Sequence, residues 1–441
     1  MNIWLLTITE PVPFADAAKD RLQRTGAFGR HLASRGHSVV WWASTFDHFR
    51  KKQLAPRDTS VTDPSGMKIR LLHGRDYRQN VSIARFLNHI QVARRFSSLS
   101  GKEPKPDILV VSLPTVEMCL AAEHYADERR IPVVVDLRDM WPDIFPEELP
   151  AALRPISRTL LFPLFRQARR ACSSAAALIG ITEEFVDWGL ERGGRKRSAM
   201  DRAFPFTYDP EPSLEADVHA AEAFWDGHGI YAGNHELRVC YFGNFGRQID
   251  LIPVLAAARQ LHQAGESVSF ALCGDGERMN EYRRVAADLP NVLLPGWMNR
   301  AQIQVLMKRS SIGLDPLQER FDFVATINNK AIEYMSAGLP LISSPDRGPL
   351  CTLLNQSECG VSYATGDSAK LVQLLSSLNA DRDRLKRMGA NARALFQNRF
   401  HAESVYPAME SYLAEVCRNH RERLDPRSIA SPKRVTTRRY A

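Results

Sequence analysis

Two cations, Arg247 and Lys330, sit in settings where their chemistry can be read from their neighbours. Arg247 follows the run Gly243-Asn244-Phe245-Gly246. A guanidinium just past glycines at a strand exit is placed to neutralise a diphosphate with paired N–H donors. Lys330 lies in FDFVATINNKAIEYMSAGLP, residues 321–340, which reads as a polar loop, a short helix and the entry to a buried strand. Asn328 and Asn329 can cap that helix, because their side chains accept from otherwise unpaired backbone amides. A lysine at a helix N-terminus opposes the macrodipole. It makes sense if an anion such as a phosphate lies between it and the free amides. Glu333 follows one turn later, and Gly338 ends the helix as a left-handed cap would. The rival readings are a capped surface helix packed on a sheet and a surface arginine after a turn.

A second set of residues crowds one loop in the first half. Asp136, Arg138, Asp139, Trp141, Pro142 and Asp143 follow the apolar run PVVVD. Carboxylates there can accept from the hydroxyls of a polyhydroxylated ligand, and one can take a proton; an Arg–Asp pair on a solvated surface is the rival. Gly26, near the start of an earlier helix, could let amides approach a phosphate, although a plain turn explains a lone glycine equally well. Residues 152–171 alternate Leu160, Leu161, Phe162, Leu164 and Phe165 with five arginines. That pattern suits an anionic membrane surface or a core helix with a basic face.

These residues need strands to position them. Ile3–Thr7, SVVWWA (38–43), ILVVS (108–112) and PVVVD (132–136) are apolar runs with little polar alternation, as in strands buried on both faces. Helical segments near 20–35, 81–98 and 115–129 lie between them, which predicts a doubly wound α/β domain. The pattern breaks at 193–235 apart from a small helix near 214–226, and then resumes with LRVCYFG (237–243), SVSFALCG (267–274), NVLLPGW (291–297) and SIGLDP (311–316). Glycines recur at these exits, in Gly243, Gly246 and the run Gly274-Asp275-Gly276. That recurrence points to a nucleotide cleft beyond the strand ends. The expected organisation is a first lobe over 1–200, a linker over 201–235, a second lobe over 236–400, a helix over 401–417 that can cross back to the first lobe, and a basic disordered tail over 418–441.

The chain of 441 residues is long enough for two domains, and 44% hydrophobic with 24% charged residues is ordinary for a soluble globular protein. The seven cysteines are scattered without metal-like spacing, which fits a reducing cytoplasm. No signal peptide or spanning segment is expected. The net charge is +8, and residues 418–441 hold eight Lys/Arg against two Asp/Glu. The body is therefore near neutral, which argues against a nucleic-acid binder, while the tail attracts anionic surfaces.

RGHSV, DLRDMWPD, YFGNFGR, CGDGE, VLLPGW and NNKAIEYMSAGLPLISS together resemble the retaining glycosyltransferases of family 4 over roughly residues 1–416. Within that family the chain looks most like bacterial cell-surface polysaccharide enzymes, including N-acetylfucosamine transferases, and WWASTFDHFRKKQ (41–53) adds to that likeness. The resemblance implies a B-type glycosyltransferase fold, with two Rossmann-like doubly wound lobes facing a central cleft. It implies that Glu333 binds ribose hydroxyls and Arg247 the diphosphate. The lysine usual a few residues later is absent, since residue 253 is proline, so Lys330 is the candidate replacement. A second glutamate usual eight residues before the first is here Ala325, which leaves the donor sugar to Asp322 or to the backbone amides of Ala325, Thr326, Ile327 and Asn328. Many members carry a histidine where this chain has Arg138, so Asp139 is the candidate first-lobe acid or base. The loop of Trp297 and Met298 falls to the base. The implied reaction moves a sugar from a nucleoside diphosphate sugar, UDP-type, to a hydroxyl of a polyprenyl-linked saccharide. It needs no cofactor and no metal, and the chain would lie in the cytoplasm, peripheral to the inner membrane. A sugar-nucleotide 2-epimerase on the same fold and a non-catalytic partner subunit are the rivals.

Overall fold

The computed structural model describes residues 1–14, 22–147, 149–233 and 236–425. The chain forms two compact units, Met1–Phe204 with Tyr406–Ala441, and Pro205–Val405.

The first unit carries strands β1 (Asn2–Leu6), β2 (Ser38–Ser44), β3 (Phe46–Asp47), β4 (Lys52–Gln53), β5 (Thr59–Thr62), β6 (Lys68–Leu72), β7 (Ile108–Leu113), β8 (Val133–Leu137), β9 (Ala177–Gly180) and β10 (Arg202–Ala203). Eight of them form one sheet in the order β10-β9-β8-β7-β1-β2-β6-β5. All neighbours are parallel except β5, which runs antiparallel to β6. β3 and β4 make a separate hairpin. The Val, Ile, Leu and Trp runs are buried on both faces because helices cover the sheet on either side. Trp4 packs edge-on to Trp42 at 5.2 Å and stacks on Tyr125 at 5.0 Å. Such rings each bury roughly 150–250 Å² and dominate a core's energetics.

The second unit holds β11 (Leu237–Asn244), β12 (Val268–Asp275), β13 (Val292–Leu293), β14 (Ile312–Pro316), β15 (Leu341–Ser344) and β16 (Gly360–Ser362). They form one parallel sheet in the order β13-β12-β11-β14-β15-β16. In both sheets the strand order reverses beside a central strand, between β1 and β7 and between β11 and β14. Doubly wound sheets bind ligands at such reversals, beyond the strands' carboxyl ends.

Three boundaries differ from the sequence-based expectation. β10 belongs to the first sheet through its pairing with β9. The helix Glu215–Gly227 joins the second unit's core through the fully buried Trp225, whose Nε1 donates to the Gln302 carbonyl at 2.8 Å. Residues 201–235 are thus largely built into the two units rather than a free linker. The last helix runs Ala402–Leu424, past the expected end at 417. Its Tyr412 hydroxyl donates to the Met200 carbonyl at 2.7 Å, and its Glu410 meets His31 and His37 at 3.0 Å each. The expected disorder of 418–441 therefore does not hold for 418–424, and 426–441 lie outside the described residues.

The helices Arg154–Leu160 and Phe162–Ser174 carry the arginine-rich segment. Phe162–Ser174 buries only Ala168, Ala171 and Cys172. Leu160 and Phe162 are 76% and 62% exposed, with Leu149, Leu153 and Ile156 exposed beside them in sequence. No helix among the described residues is long and apolar enough to cross a membrane.

Candidate functional site

In the second unit the expected residues converge at the β11/β14 reversal. Gly243 closes β11 with φ +145, and a Cβ built there would sit 3.3 and 3.4 Å from Cδ and Cε of Lys330. The φ of +145 favours glycine here, and the lysine stem and the Tyr241 hydroxyl, 3.2 Å from such a Cβ, lie against its backbone. Gly243 pairs with Gly274, where a Cβ would fall 2.0 Å from the Gly243 carbonyl oxygen. At Gly276, φ +151, a Cβ would fall 2.4 Å from Asn244 Oδ1. Two adjacent strand exits are thereby pressed together, leaving backbone rather than side chains at the mouth. Gly246 is different: its closest neighbour is the flexible Gln248 side chain.

Asn328 caps the helix Asn329–Ser336, accepting from the Ala331 amide at 3.0 Å. Asn329 is the first helical residue, not a cap. The helix closes on Gly338, φ +72, with Leu339 donating to the Tyr334 carbonyl and Gly338 to the Met335 carbonyl, both at 3.0 Å. The first-turn amides of Asn329 and Lys330 have no intrahelical acceptor. Lys330 is half-buried, with Nζ 5.6 Å from the Tyr241 ring, and it makes no salt bridge among the described residues.

Asp315, at the end of β14, is a residue that sequence reasoning missed. It is fully buried, and its Oδ2 accepts from Asn328 Nδ2 at 2.6 Å while Oδ1 has no partner among the described residues. Burial pushes its carboxyl above the usual range, with Lys330 and Asn328 offsetting part of that push. Asp315 thus anchors the cap that aims the helix. The only sequence signal was an acid at the end of an apolar strand.

Arg247 is 75% exposed and its Nε donates to Glu277 at 3.2 Å, which ties it to the loop after Asp275 and Gly276. Glu333 is half-buried on the same helix as Lys330. The Gly274 amide donates to the Gly296 carbonyl at 2.8 Å, which brings the exposed Trp297 next to the β12 exit.

Several of the expected site groups already hold partners inside the chain. Asp322 is closed in an ion pair with Arg320, at 2.5 and 2.7 Å, so its oxygens are committed within the loop. The amides of Ala325 and Thr326 donate to the carbonyls of Phe321 and Phe323, so they are not open to a sugar. In the first unit, Glu10 accepts from the Thr25 amide at 3.0 and 2.9 Å and from the Gly26 amide at 3.4 Å. A carboxylate of the chain already occupies the place expected for a phosphate at Gly26. This glycine is required by packing, since a Cβ would meet Leu22 at 2.9 Å and Trp41 at 3.2 Å.

The loop after β8 is also more internal than its sequence suggested. Asp136 is buried and accepts from Arg24 at 3.1 Å and Arg138 at 2.8 Å, while Arg138 also pairs with Glu10. Burial would raise the Asp136 carboxyl, but the guanidiniums of Arg138 and Arg24 outweigh it and hold it below the usual range. Asp136 and Arg138 therefore form a structural charge network beside a small cavity lined by Thr7, Ser112 and Thr25. Trp141 lies buried under the Arg85 guanidinium at 4.3 Å and against Phe145 at 4.5 Å, so it offers no open face to a sugar. Asp143 is held by Trp188 at 3.0 Å and by Arg192. Asp139 is half-exposed, with Oδ1 accepting from the Met140 amide at 2.8 Å. No cluster of three metal-ligating side chains occurs among the described residues.

Residues 23–200 match the family model for a glycosyl transferase 4-like domain, and residues 236–381 match that for glycosyl transferases group 1. No curated protein matches the chain. Sucrose-phosphate synthase from Thermosynechococcus elongatus is similar in structure with a TM-score of 0.71 at 16% identity, covering 95% of this chain and 100% of that one. HepE of Anabaena, in complex with UDP and glucose, gives 0.63 at 15% identity, covering 94% and 99%. WaaG, a glycosyltransferase involved in lipopolysaccharide biosynthesis, gives 0.58 at 13% identity, covering 93% and 98%. At such identities the likeness is one of fold, the B-type arrangement of two Rossmann-like lobes.

Proposed function

We propose, on the premise that this chain belongs to the group 1 glycosyltransferases with a 4-like first domain, that it moves a sugar from a UDP-type nucleoside diphosphate sugar to a hydroxyl of a polyprenyl-linked saccharide in surface polysaccharide synthesis. The observation that carries the donor half is the packing of the Lys330 stem on Gly243, at the sheet reversal where Gly274 and Gly276 clear the strand exits. A diphosphate there would meet Lys330, the first-turn amides of its helix and, after release from Glu277, Arg247. Glu333 would take the ribose hydroxyls. As the anomeric bond breaks, negative charge grows on the leaving diphosphate, and preorganised cations and amides favour that charge over the bound ground state. The leaving diphosphate accepts the acceptor proton on the same face, so the anomeric configuration is retained. Where a first-unit side chain assists that proton transfer to the diphosphate, it is Asp139.

UDP is favoured over other nucleotides because the structurally similar HepE holds UDP. The exposed Ile156, Leu160 and Phe162, interleaved with Arg154, Arg158 and Arg166, support docking of the first unit on an anionic leaflet. The experiment is a screen of nucleoside diphosphate sugars, with and without prenyl-linked saccharides, that reads free nucleoside diphosphate and the product anomer. Acceptor-dependent release with a retained anomer is expected. A new sugar nucleotide formed without acceptor would mean an epimerase. Failure to bind any nucleotide by calorimetry would mean a non-catalytic subunit. Sedimentation with anionic vesicles, lost in Leu160→Glu, tests the membrane arm.

A further inference from the structure

Around the β3–β4 hairpin the first unit places two cations close together: Lys51, half-buried, and Arg85, buried with its guanidinium on the Trp141 ring at 4.3 Å. Lys51 Nζ lies 5.0 Å from the Tyr77 ring, and the Arg85 guanidinium lies 6.0 Å from the same ring. Neither cation forms a salt bridge among the described residues. The hairpin's own acid, Asp47, is taken up by Arg50 at 3.1 Å and by the amides of Phe49 and Arg50 at 2.8 Å each. Glu117 and Asp139 face Arg85 but do not pair with it, and Glu117 sits 3.6 Å from His89. His48 and His89 complete the ring of groups. Burial, then Arg85 and Lys51, pushes His48 down to about 3, so it stays neutral with Nδ1 2.7 Å from the Tyr77 hydroxyl. Two like charges beside one ring repel and cost stability. Lys51 also holds φ +55, a left-handed conformation that a lysine rarely adopts and that persists only where surroundings enforce it.

Apolar side chains border the same cations. Lys51 Nζ donates to Asn80 Oδ1, and Arg85 donates to the Asn80 carbonyl at 2.6 Å. The next residues after Asn80 include Val81 and Ile83, 60% and 79% exposed, and Phe49 on the hairpin is 59% exposed with its ring 5.4 Å from His48. Phe86, adjacent to Arg85, packs on Phe145 at 6.1 Å. The exposed, arginine-rich helices Arg154–Leu160 and Phe162–Ser174 follow Phe145 in the chain. A pair of cations edged by exposed apolar residues suits a ligand that is itself a phosphate joined to a hydrocarbon.

We infer that the surface between the β3–β4 hairpin and the start of the helix Ile83–Leu99 binds the diphosphate that joins the polyprenyl chain to the acceptor saccharide, with Lys51 and Arg85 on the phosphate oxygens and Phe49, Val81 and Ile83 along the first isoprene units. This rests on the lipid-linked acceptor proposed above. The test measures binding of farnesyl diphosphate, inorganic pyrophosphate and farnesol by tryptophan fluorescence on the full chain, with UDP as a separate titration. Lys51→Met is expected to weaken farnesyl diphosphate and pyrophosphate at least tenfold. Ile83→Asp, at an exposed position, is expected to weaken farnesyl diphosphate several-fold and leave pyrophosphate unchanged. UDP binding should stay within twofold in both, and an unchanged denaturant-unfolding curve shows that the first unit still folds. No binding of farnesyl diphosphate, or binding that Lys51→Met leaves intact, overturns the inference even if UDP binds. Equal affinity for pyrophosphate and farnesyl diphosphate, unmoved by Ile83→Asp, overturns it in favour of a plain anion site. Farnesyl diphosphate binding without any nucleotide binding would sustain this site and refute the donor assignment instead.

Discussion

Lys330→Met removes one positive charge and keeps an unbranched stem where Lys330 now packs on Gly243 and beneath the Tyr241 ring. The stem contacts are apolar, so the unfolding midpoint should hold within a degree or two. Two unit charges about 4 Å apart attract by roughly 4 kcal/mol at an effective dielectric near 20, a setting that suits a half-buried cation. Breaking the sugar–phosphate bond adds about one unit of negative charge to the diphosphate, and only that increment lowers the barrier. The expected loss is therefore about 2.7–4 kcal/mol, a fall of roughly 10²–10³ in kcat, as at other charge-stabilising sites. The assay is initial-rate release of nucleoside diphosphate at saturating donor, with substrates taken from the screen above. If kcat holds and only the donor KM rises, Lys330 binds ground state and transition state alike, and the reasoning is refuted.

Three further outcomes follow from other contacts. Glu277→Gln frees Arg247 from an exposed ion pair of modest strength, so the donor KM should drop by up to about fivefold at low salt; an increase would show that Glu277 helps the donor. Gly274→Ala drives a Cβ to 2.0 Å from the Gly243 carbonyl oxygen and should cost at least about 1–3 kcal/mol, read by denaturant unfolding; a neutral result would contradict the strand pairing there. Glu410 is held below its ordinary value of 4.5 because the hydrogen bonds to His37 and His31 outweigh burial. The stability it contributes is present above that ordinary value and lost as pH falls through the lower folded value. Glu410→Gln should thus lower the midpoint by about 2–4 °C at neutral pH, with the gap closing in strong acid, and a constant gap across pH would remove the electrostatic explanation.

The parallel strands were legible because burial on both faces leaves unbroken apolar runs, as at ILVVS and PVVVD. The place of Lys330 in the first turn of its helix was legible because Asn328 and Asn329 mark a cap just before it. The loop after β8 misled for a related reason. Asp136, Arg138 and Trp141 look like a polar site in sequence, yet their partners Glu10, Arg24 and Arg85 lie far away in the chain, and no local pattern reveals that the charges cancel inside the unit. Gly26 shows the same limit, since a glycine required by Trp41 reads no differently from one required by a phosphate. Asp315 escaped because its neighbour Asn328 arrives from the next element.

The division of the chain has a consequence for its synthesis. Everything from Pro205 to Val405 is inserted between two segments of the first unit. The surface that receives the last helix, including Phe28 and His31, therefore emerges from the ribosome long before Tyr406, whose ring ends 5.5 Å from Phe28. At about 5–20 residues per second the intervening stretch takes roughly 10–40 s to make. During that time the first unit waits with an apolar seam uncovered, while the second unit is free to close as soon as its own sheet is complete. The second unit can thus be finished before the unit that precedes it in the gene, and a chain that stops near residue 400 carries a complete second sheet and a first unit lacking its final helix.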